Sequence, residues 1–342
     1  MKISIVMPVF NEENSIESVL GELEQYMIGY LGSDGWEIIA VNDGSSDNTL
    51  EKLKHSARSK PWLNIIDMVS HYGRGRALRA GLRAAKGDII VSLDADLSYA
   101  PFHIKRMIDK IKEDNADIVL ASAYGKQGTV KNVPISRLWV SIIGNKILSW
   151  MFGGGLTVMT CLVRAYNRDF IQKIDLHSDD KEVHLEILYK ARMLGGKIVE
   201  VPADLCWRKE KILKLTGAKL NNRRSTMRFK KTSNSHLFFA LLNRPGFIFW
   251  VPGFILVITA IFILLVLMWL ISIEVSKGIS LYSAVRNSMI NGMITWFTMV
   301  VSFILGIQFF TLGFLTSQNK RNYEEIYKSL HAIFGELKSK KD

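Results

Sequence analysis

The chain has 342 residues, with 44 Lys and Arg against 32 Asp and Glu, for a net charge of +12. The excess cations gather beside two long uncharged stretches, so the charge speaks for a membrane surface and is not evidence for nucleic acid, which is not an expected partner. Two cysteines, Cys161 and Cys206, suit neither a disulfide framework nor a zinc site.

In chain order, the first half alternates strand and helix signals. Ile3–Phe10 reads as a buried strand, too short for a secretory segment and running straight into Asn11-Glu12-Glu13. The expectation is therefore that the polar body stays in the cytosol. Ser15 is placed to cap a helix towards Tyr26. Trp36–Val41 is the next strand, followed by a helix from about Ser46 to Lys60 and a strand over Asn64–Val69. Arg74–Ala85 is helical, and Asp88–Leu93 is a strand ending in Asp94-Ala95-Asp96. A helix follows Pro101, and Asp117–Ala121 is another strand. Ile135–Phe152 is helical, Thr157–Tyr166 and Lys197–Leu205 read as strands, and a helix lies between Glu182 and Met193. Strands separated by helices of this length predict an α/β doubly wound, mostly parallel sheet, with ligands at the carboxyl ends of its strands.

The remainder is a membrane anchor. No charged residue occurs from Phe247 to Ser272 or from Asn287 to Asn319, and a hydrocarbon core of about 30 Å needs roughly 20 helical residues. The predicted organisation is a cytoplasmic catalytic domain over 1–231, whose residues 208–231 form a basic flexible loop, then an interfacial helix over 232–246. Two transmembrane helices follow within 247–316, at about 247–272 and 290–316, and 317–342 is a basic amphipathic tail. In that tail Ile326, Leu330, Ile333 and Leu337 share one face, which suits a helix lying on a membrane. The connector between the spans carries only Glu274, Lys277 and Arg286, whereas both flanks are rich in Lys and Arg. The positive-inside rule then places both termini in the cytoplasm of a multi-pass protein, in the cell membrane or in the ER of a eukaryote. Gly292 and Gly306 are candidates for packing the spans against another copy.

Three strand ends carry the chemistry: Pro8-Val9-Phe10-Asn11-Glu12, Asn42-Asp43-Gly44-Ser45-Ser46-Asp47 and Asp94-Ala95-Asp96. Each alone has the ordinary composition of a turn. Together, at the ends of strands in one sheet, they gather carboxylates round one crevice. Such repulsion is relieved by a divalent cation with hard oxygen ligands, Mg2+ or Mn2+, bridging to phosphate.

The runs IVMPVFNEENSI, VNDGSSDNT, HYGRGRALRAGLRAAKGD and LDADLS resemble family 2 glycosyltransferases of the GT-A fold, in order and spacing, across about the first 100 residues. The resemblance implies that Pro8, Phe10, Glu12, Asp43, Gly73, Arg74, Asp94 and Ala95 bind a nucleotide-sugar, with Asp43 at the base. It implies a metal on Asp96 with Asp94, and Ser98 stands where the family often has a Gln ligand. His71 stands where Asn is commoner. Later residues are similar to the polyprenyl-phosphate branch of the family. Arg137, Ser141 and Asn145, at i, i+4 and i+8, share a helical face like the one that grips the acceptor phosphate there. Arg164, in Val163-Arg164-Ala165-Tyr166, matches a further branch motif. Arg208, Arg224, Ser225 and Arg228 resemble its basic closing loop. Where the branch often has an Arg, this chain has Ala123, with Lys126 nearby.

These resemblances imply a hexosyltransferase that joins a sugar from a UDP- or GDP-linked donor to dolichyl or undecaprenyl phosphate with inversion. Asp96, Asp94, Arg137 and Arg164 would carry catalysis. A phosphate acceptor is already an anion, so no general base is needed. The alternatives are a membrane polysaccharide synthase, which usually carries Gln-x-x-Arg-Trp and more spans, and a diacylglycerol glycosyltransferase. The second would need a base, for which Asp179 or Asp180 is available. The implied partners are a nucleotide-sugar, a polyprenyl phosphate, the bilayer and a possible second copy.

Overall fold

The computed structural model describes residues 2–207 and 245–339. The basic loop expected over 208–231, and all but the last two residues of the interfacial helix expected over 232–246, lie outside the described residues. The chain divides into two compact units, Met1–Ala240 and Leu241–Asp342.

In the first unit the elements are β1 (Ile3–Val9), α1 (Ile16–Leu31), β2 (Trp36–Asn42), α2 (Thr49–Ala57), β3 (Leu63–Asp67), α3 (Arg74–Ala84), β4 (Ile89–Ser92), α4 (His103–Asp114) and β5 (Ile118–Ser122). They continue with β6 (Thr129–Lys131), α5 (Ile135–Met151), β7 (Arg164–Asn167), α6 (Arg168–Ile171), α7 (Val183–Met193), β8 (Ile198–Pro202) and β9 (Asp204–Cys206). Among the described residues, seven strands form one sheet in the order β3-β2-β1-β4-β7-β5-β8, and β6 pairs with β9. All neighbours in the large sheet are parallel except β7, which runs antiparallel to both β4 and β5.

β1, β2 and β4 are near-continuous apolar runs because both faces of the sheet are covered. Ile3, Ile5, Met7 and Val9 of β1 point into a layer with Ile16, Leu20, Leu23 and Met27 of α1 and with Ile104, Met107 and Ile108 of α4. Val6 faces the other way, against Ala77, Leu78 and Leu82 of α3 and Val183 and Ile187 of α7. This is the doubly wound arrangement that the alternating signals predict. β1 pairs with β2 on one side through Val9–Asn42, but with β4 on the other only as far as Val6–Ser92. The two strands part beyond that point, and Pro8 sits where they part. The opening is the crevice at which such sheets bind ligands.

Two expected strands are shorter than their apolar patterns. Of Thr157–Tyr166, only the last residues join β7. The backbone N–H groups before it are taken by side chains instead: Thr157 and Val158 donate to Glu200 Oε1 at 2.7 and 2.9 Å, and Met159 donates to Asn145 Oδ1 at 2.7 Å. Donors satisfied in this way leave no ladder to extend. Lys197–Leu205 breaks at Ala203, whose N–H donates to Ser122 and whose carbonyl accepts from Thr129. β9 then leaves the large sheet for β6, a strand the sequence pattern does not reveal.

The second unit holds α8 (Pro245–Ser276), α9 (Leu281–Asn291) and α10 (Met293–Ser339). Gly246–Ser276 and Met293–Ile333 are long and apolar enough to cross a membrane. Their most apolar windows are only 11% and 17% buried, unlike the core helix of a soluble protein. The two helices pack through glycines. A Cβ on Gly306 would stand 2.6 Å from Val257, one on Gly253 would stand 3.1 Å from the Gly306 carbonyl, and one on Gly313 would strike the Trp250 ring at 2.3 Å. Gly306 is therefore occupied inside the hairpin, a correction to its expected use against another copy. Gly292, the other candidate, sits at the junction of α9 and α10, where it ends α9 by donating to Ser288. α10 runs without a break from the span into the tail. At 1.5 Å per residue its 47 residues extend about 70 Å, over twice the hydrocarbon thickness. The tail thus continues the span rather than forming the separate surface helix expected from Gln318 onward.

Candidate active site

The turns after β1 and β2 are laced into one rim. Ser46 N–H donates to Asn11 Oδ1 at 2.9 Å, Asn11 N–H to Ser45 Oγ at 3.0 Å, Glu12 N–H to Thr49 Oγ1 at 2.8 Å and Glu13 N–H to Asp47 Oδ2 at 3.2 Å. Asn11 accepts a φ of 54° to make these bonds, a conformation Asn tolerates better than most residues. Desolvation acts to raise the Asp47 carboxyl, but bonds from the Thr49 hydroxyl and N–H and from Glu13 outweigh it, and its pKa lies below the usual value. The Glu12 carboxylate accepts from Ser15 Oγ at 2.6 Å.

Asp43 is buried behind this rim, with its carboxylate organising the approach to α3. Oδ1 accepts from Tyr72 N–H at 2.9 Å, Oδ2 accepts from Gly73 N–H at 3.1 Å, and His71 Nδ1 lies 2.9 Å from Oδ2. What faces outward is the His71 ring stacked on Phe10, with centroids 4.1 Å apart and planes 25° apart. Gly73, at φ 111°, and Gly75 allow the start of α3 to touch the 178–180 backbone. An added Cβ would stand 2.5 Å from Asp179 O at Gly73 and 2.4 Å from Asp180 O at Gly75. Arg76 N–H donates to that same Asp179 carbonyl at 3.1 Å.

The third strand end lies opposite. Arg74 Nη1 meets Asp94 Oδ1 at 3.1 Å, and Asp96 Oδ1 accepts from Ser98 N–H at 2.9 Å. Between Asp96 and Ser98, Leu97 is held at φ 42° with its side chain buried. A branched residue in the left-handed region costs about 1–2 kcal/mol, so packing elsewhere holds the Asp96 turn in a strained shape. Ser98 is buried, and its carbonyl accepts from Cys206 N–H at 2.8 Å. Lys181, which the motifs do not single out, completes this corner. Its side chain is exposed, but crowding by the surrounding chain, followed by the Arg74 charge, lowers its pKa against the opposing pull of Asp180, Glu182 and Asp94. Arg74 thus brings a cation to Asp94. Among the described residues no group of three or more His, Cys, Asp or Glu is placed to hold a metal ion. Asp94 and Asp96 offer two hard oxygen donors on one turn, the protein's usual share of a Mg2+ or Mn2+ site completed by phosphate and water.

Arg137, Ser141 and Asn145 do share one face of α5, but their roles differ. Asn145 is buried, its amide donating to Ser141 O at 2.9 Å and its Oδ1 accepting from Met159 and Thr160 N–H. Ser141 Oγ accepts from Tyr124 OH at 2.8 Å. Arg137 is exposed, with its guanidinium 5.8 Å from the centroid of the Trp207 ring. Arg164, expected as a catalytic group, lies inside the fold in this structure. It is wholly buried and donates to the carbonyls of Cys161 at 2.8 Å, His184 at 3.0 Å and Met159 at 2.8 Å. Beside it, burial and then the Asp94 charge push the Cys161 thiol up to about 11, which links this layer to the acidic turn. Ala123 is buried and Lys126 exposed. Arg208, Arg224, Ser225 and Arg228 lie outside the described residues. Asp179 Oδ1 is held by Arg79 Nη2 at 2.6 Å.

The family model described as glycosyl transferase family 2 matches residues 4–175. Polyprenol monophosphomannose synthase of Mycolicibacterium smegmatis is 29% identical over 224 residues, covering 63% of this chain and 82% of that protein. Undecaprenyl-phosphate 4-deoxy-4-formamido-L-arabinose transferase of an Enterobacter species is 32% identical over 203 residues, and dolichol-phosphate mannosyltransferase of Pyrococcus furiosus is 29% identical over 206. The matched region spans only 58% and 56% of these two relatives. Among solved structures, glucosyl-3-phosphoglycerate synthase from Mycobacterium tuberculosis, in complex with Mn2+, UDP and phosphoglyceric acid, superposes with a TM-score of 0.51 at 20% identity. The superposition covers 71% of this chain and 78% of that one, a likeness of fold.

Proposed function

The chain belongs to glycosyl transferase family 2, and on that premise we propose that it transfers a hexose from a UDP- or GDP-linked sugar to a polyprenyl phosphate, dolichyl or undecaprenyl, with inversion at the anomeric carbon. The observation that carries this reading is the shared region itself: the relatives matched over it are named for transfer to polyprenol, dolichol and undecaprenyl phosphates.

The geometry supports a division of labour. The rim of Pro8, Phe10, Glu12 and the loop ordered by Asp43 frames the nucleotide, with the Phe10–His71 stack as its outward aromatic surface. Gly73 and Arg74 open α3 towards the crevice, where backbone N–H groups at a helix start favour an anion. Asp94, Ala95 and Asp96 form the far wall. Asp96 and Asp94 would hold Mg2+ or Mn2+, with the buried Ser98 as a neighbouring oxygen. When bound, such an ion supplies charge neutralisation for the departing diphosphate. Arg74 adds positive charge at the same corner, and Arg137 presents a cation for the acceptor phosphate. Charges fixed in advance at such points stabilise a transition state without reorganisation.

A neutral hydroxyl acceptor such as diacylglycerol needs a base. Of the two candidates, Asp179 is drawn to Arg79, which leaves Asp180 as the base such a reaction would need. The two apolar helices would hold this site at a bilayer, facing the cytoplasm, where the acceptor is confined.

The test is to incubate detergent-purified protein with polyprenyl phosphate, Mg2+ or Mn2+, and a panel of radiolabelled UDP- and GDP-sugars. Label that enters the organic phase from one donor, and is lost in Asp96→Ala, is the expected result. Label passing to diacylglycerol or to a growing polymer would overturn the acceptor.

A further inference from the structure

α5 has a second face. Ile135, Trp139, Val140, Ile143, Ile147 and Trp150 are each between 47% and 73% exposed. At 3.6 residues per turn they fall within an arc of about 140°, turned away from the arc of Arg137, Ser141 and Asn145. The inner arc is tied to the protein through Tyr124, Met159 and Thr160. The outer arc is too wide and too aromatic for an ordinary solvated helix surface.

Its surroundings identify what it faces. From Gly125 to Arg168 the chain has no Asp or Glu, and Lys126, Lys131, Arg137 and Lys146 in that stretch are all exposed. Two tryptophans on a largely apolar face, with Lys146 within its arc and Arg137 beyond its edge, are the composition of a helix lying at a lipid–water boundary, where a long lysine reaches out to the headgroups. Cations without neighbouring acids gain from anionic headgroups. The same chain carries two helices fit to cross a bilayer, so a lipid surface is always within its reach.

We propose that the outer face of α5 lies in the headgroup region of an anionic bilayer, seating the catalytic unit through Trp139, Ile143 and Ile147. The inner face of the same helix then holds Arg137 at the level of lipid phosphates. The seat does not depend on the acceptor's identity. It serves any substrate confined to the membrane, so it goes beyond the reading above and fails or stands separately from it.

The test uses the full chain, with Cys206→Ser, in vesicles of phosphatidylglycerol and phosphatidylcholine. Spin labels are placed at Ile143→Cys or Ile147→Cys, and at Ile28→Cys on α1 as an exposed reference; the Cys206→Ser parent with no added cysteine measures any label on Cys161. The expected result is a collision ratio of oxygen over a water-soluble nickel complex several-fold higher at 143 and 147 than at 28. That ratio should fall when phosphatidylglycerol is withdrawn. Equal ratios at all three positions would overturn the proposal. So would labels at 143 and 147 that are immobilised and shielded from both reagents, which would mean that residues 208–244 or a second copy cover the face. Label transfer to polyprenyl phosphate is assayed on the same preparations, so a misassigned acceptor is recognised independently of helix depth.

Discussion

Arg74 and Asp94 meet at 3.1 Å, joining the first turn of α3 to the carboxyl end of β4 across the mouth of the crevice. Arg74 is nearly half exposed, so the pair contributes at most about 1 kcal/mol to stability. Its value lies in where it holds charge. Arg74→Ala should leave the thermal midpoint within a few degrees of the parent while sugar transfer falls by roughly 100- to 1,000-fold, the range seen when one preorganised donor is removed from a reacting site. Thermal unfolding and label transfer measured on the same preparation decide it. A large fall in midpoint would make Arg74 structural instead.

Two glycines offer a matched contrast. An added methyl at Gly75 would stand within 2.8 Å of three backbone atoms of residues 178–180, whereas one at Gly21 on α1 meets nothing within 4 Å. Gly21→Ala should therefore stabilise by about 0.5–1 kcal/mol through helix propensity. Gly75→Ala should destabilise by about 2 kcal/mol and weaken nucleotide binding, because the 178–180 backbone has to move. Denaturant midpoints and titration with UDP or GDP read both effects. Equal behaviour of the two variants would mean that α3 and the 178–180 loop are not in contact.

Much of this arrangement is legible in the sequence, for identifiable reasons. β1, β2 and β4 announce themselves because strands covered on both faces must be apolar throughout, and each ends in residues that suit turns. The i, i+4, i+8 spacing of Arg137, Ser141 and Asn145 correctly puts them on one face of α5. Spacing cannot say which side chains on a face stay available, and Asn145 is consumed by the 159–160 backbone. Arg164 is the sharper case. Its motif speaks of chemistry, yet its neighbours Met159, Cys161 and His184 supply three carbonyls that enclose the guanidinium. β7 is invisible as an antiparallel insertion because four residues carry too little pattern to give direction.

Arg164 and Arg137 should separate cleanly on mutation. Removing Arg164 leaves three carbonyls without their donor in a fully buried place, and each unsatisfied group costs about 1–3 kcal/mol. Arg164→Met should therefore lower stability by several kcal/mol, and activity should be lost with the fold. Arg137→Ala should leave the unfolding midpoint unchanged and raise KM for polyprenyl phosphate about tenfold or more, with KM for the nucleotide-sugar little altered. If Arg164→Met folds normally and loses only acceptor affinity, the guanidinium must turn outward during turnover and the buried arrangement is a resting one.

His103 predicts a dependence on pH. Its ring is buried; Nε2 accepts from Asp204 N–H at 3.1 Å, and Nδ1 has no hydrogen-bond partner. Burial pulls its pKa from 6.5 down to about 4, with Asp204 opposing and Arg106 adding to the fall. The unfolded chain thus binds a proton that the folded chain refuses between pH 6.5 and 4. Stability rises with pH across that window, is fully present above 6.5, and is lost progressively as pH falls towards 4, by about 3 kcal/mol in total. His103→Gln keeps a hydrogen-bond acceptor for Asp204 and removes the titration. The difference in unfolding free energy between parent and variant should therefore change by that amount between pH 7 and 4 and stay level above 7. A difference that is independent of pH would mean that the ring takes up a proton as readily in the fold as in the unfolded chain.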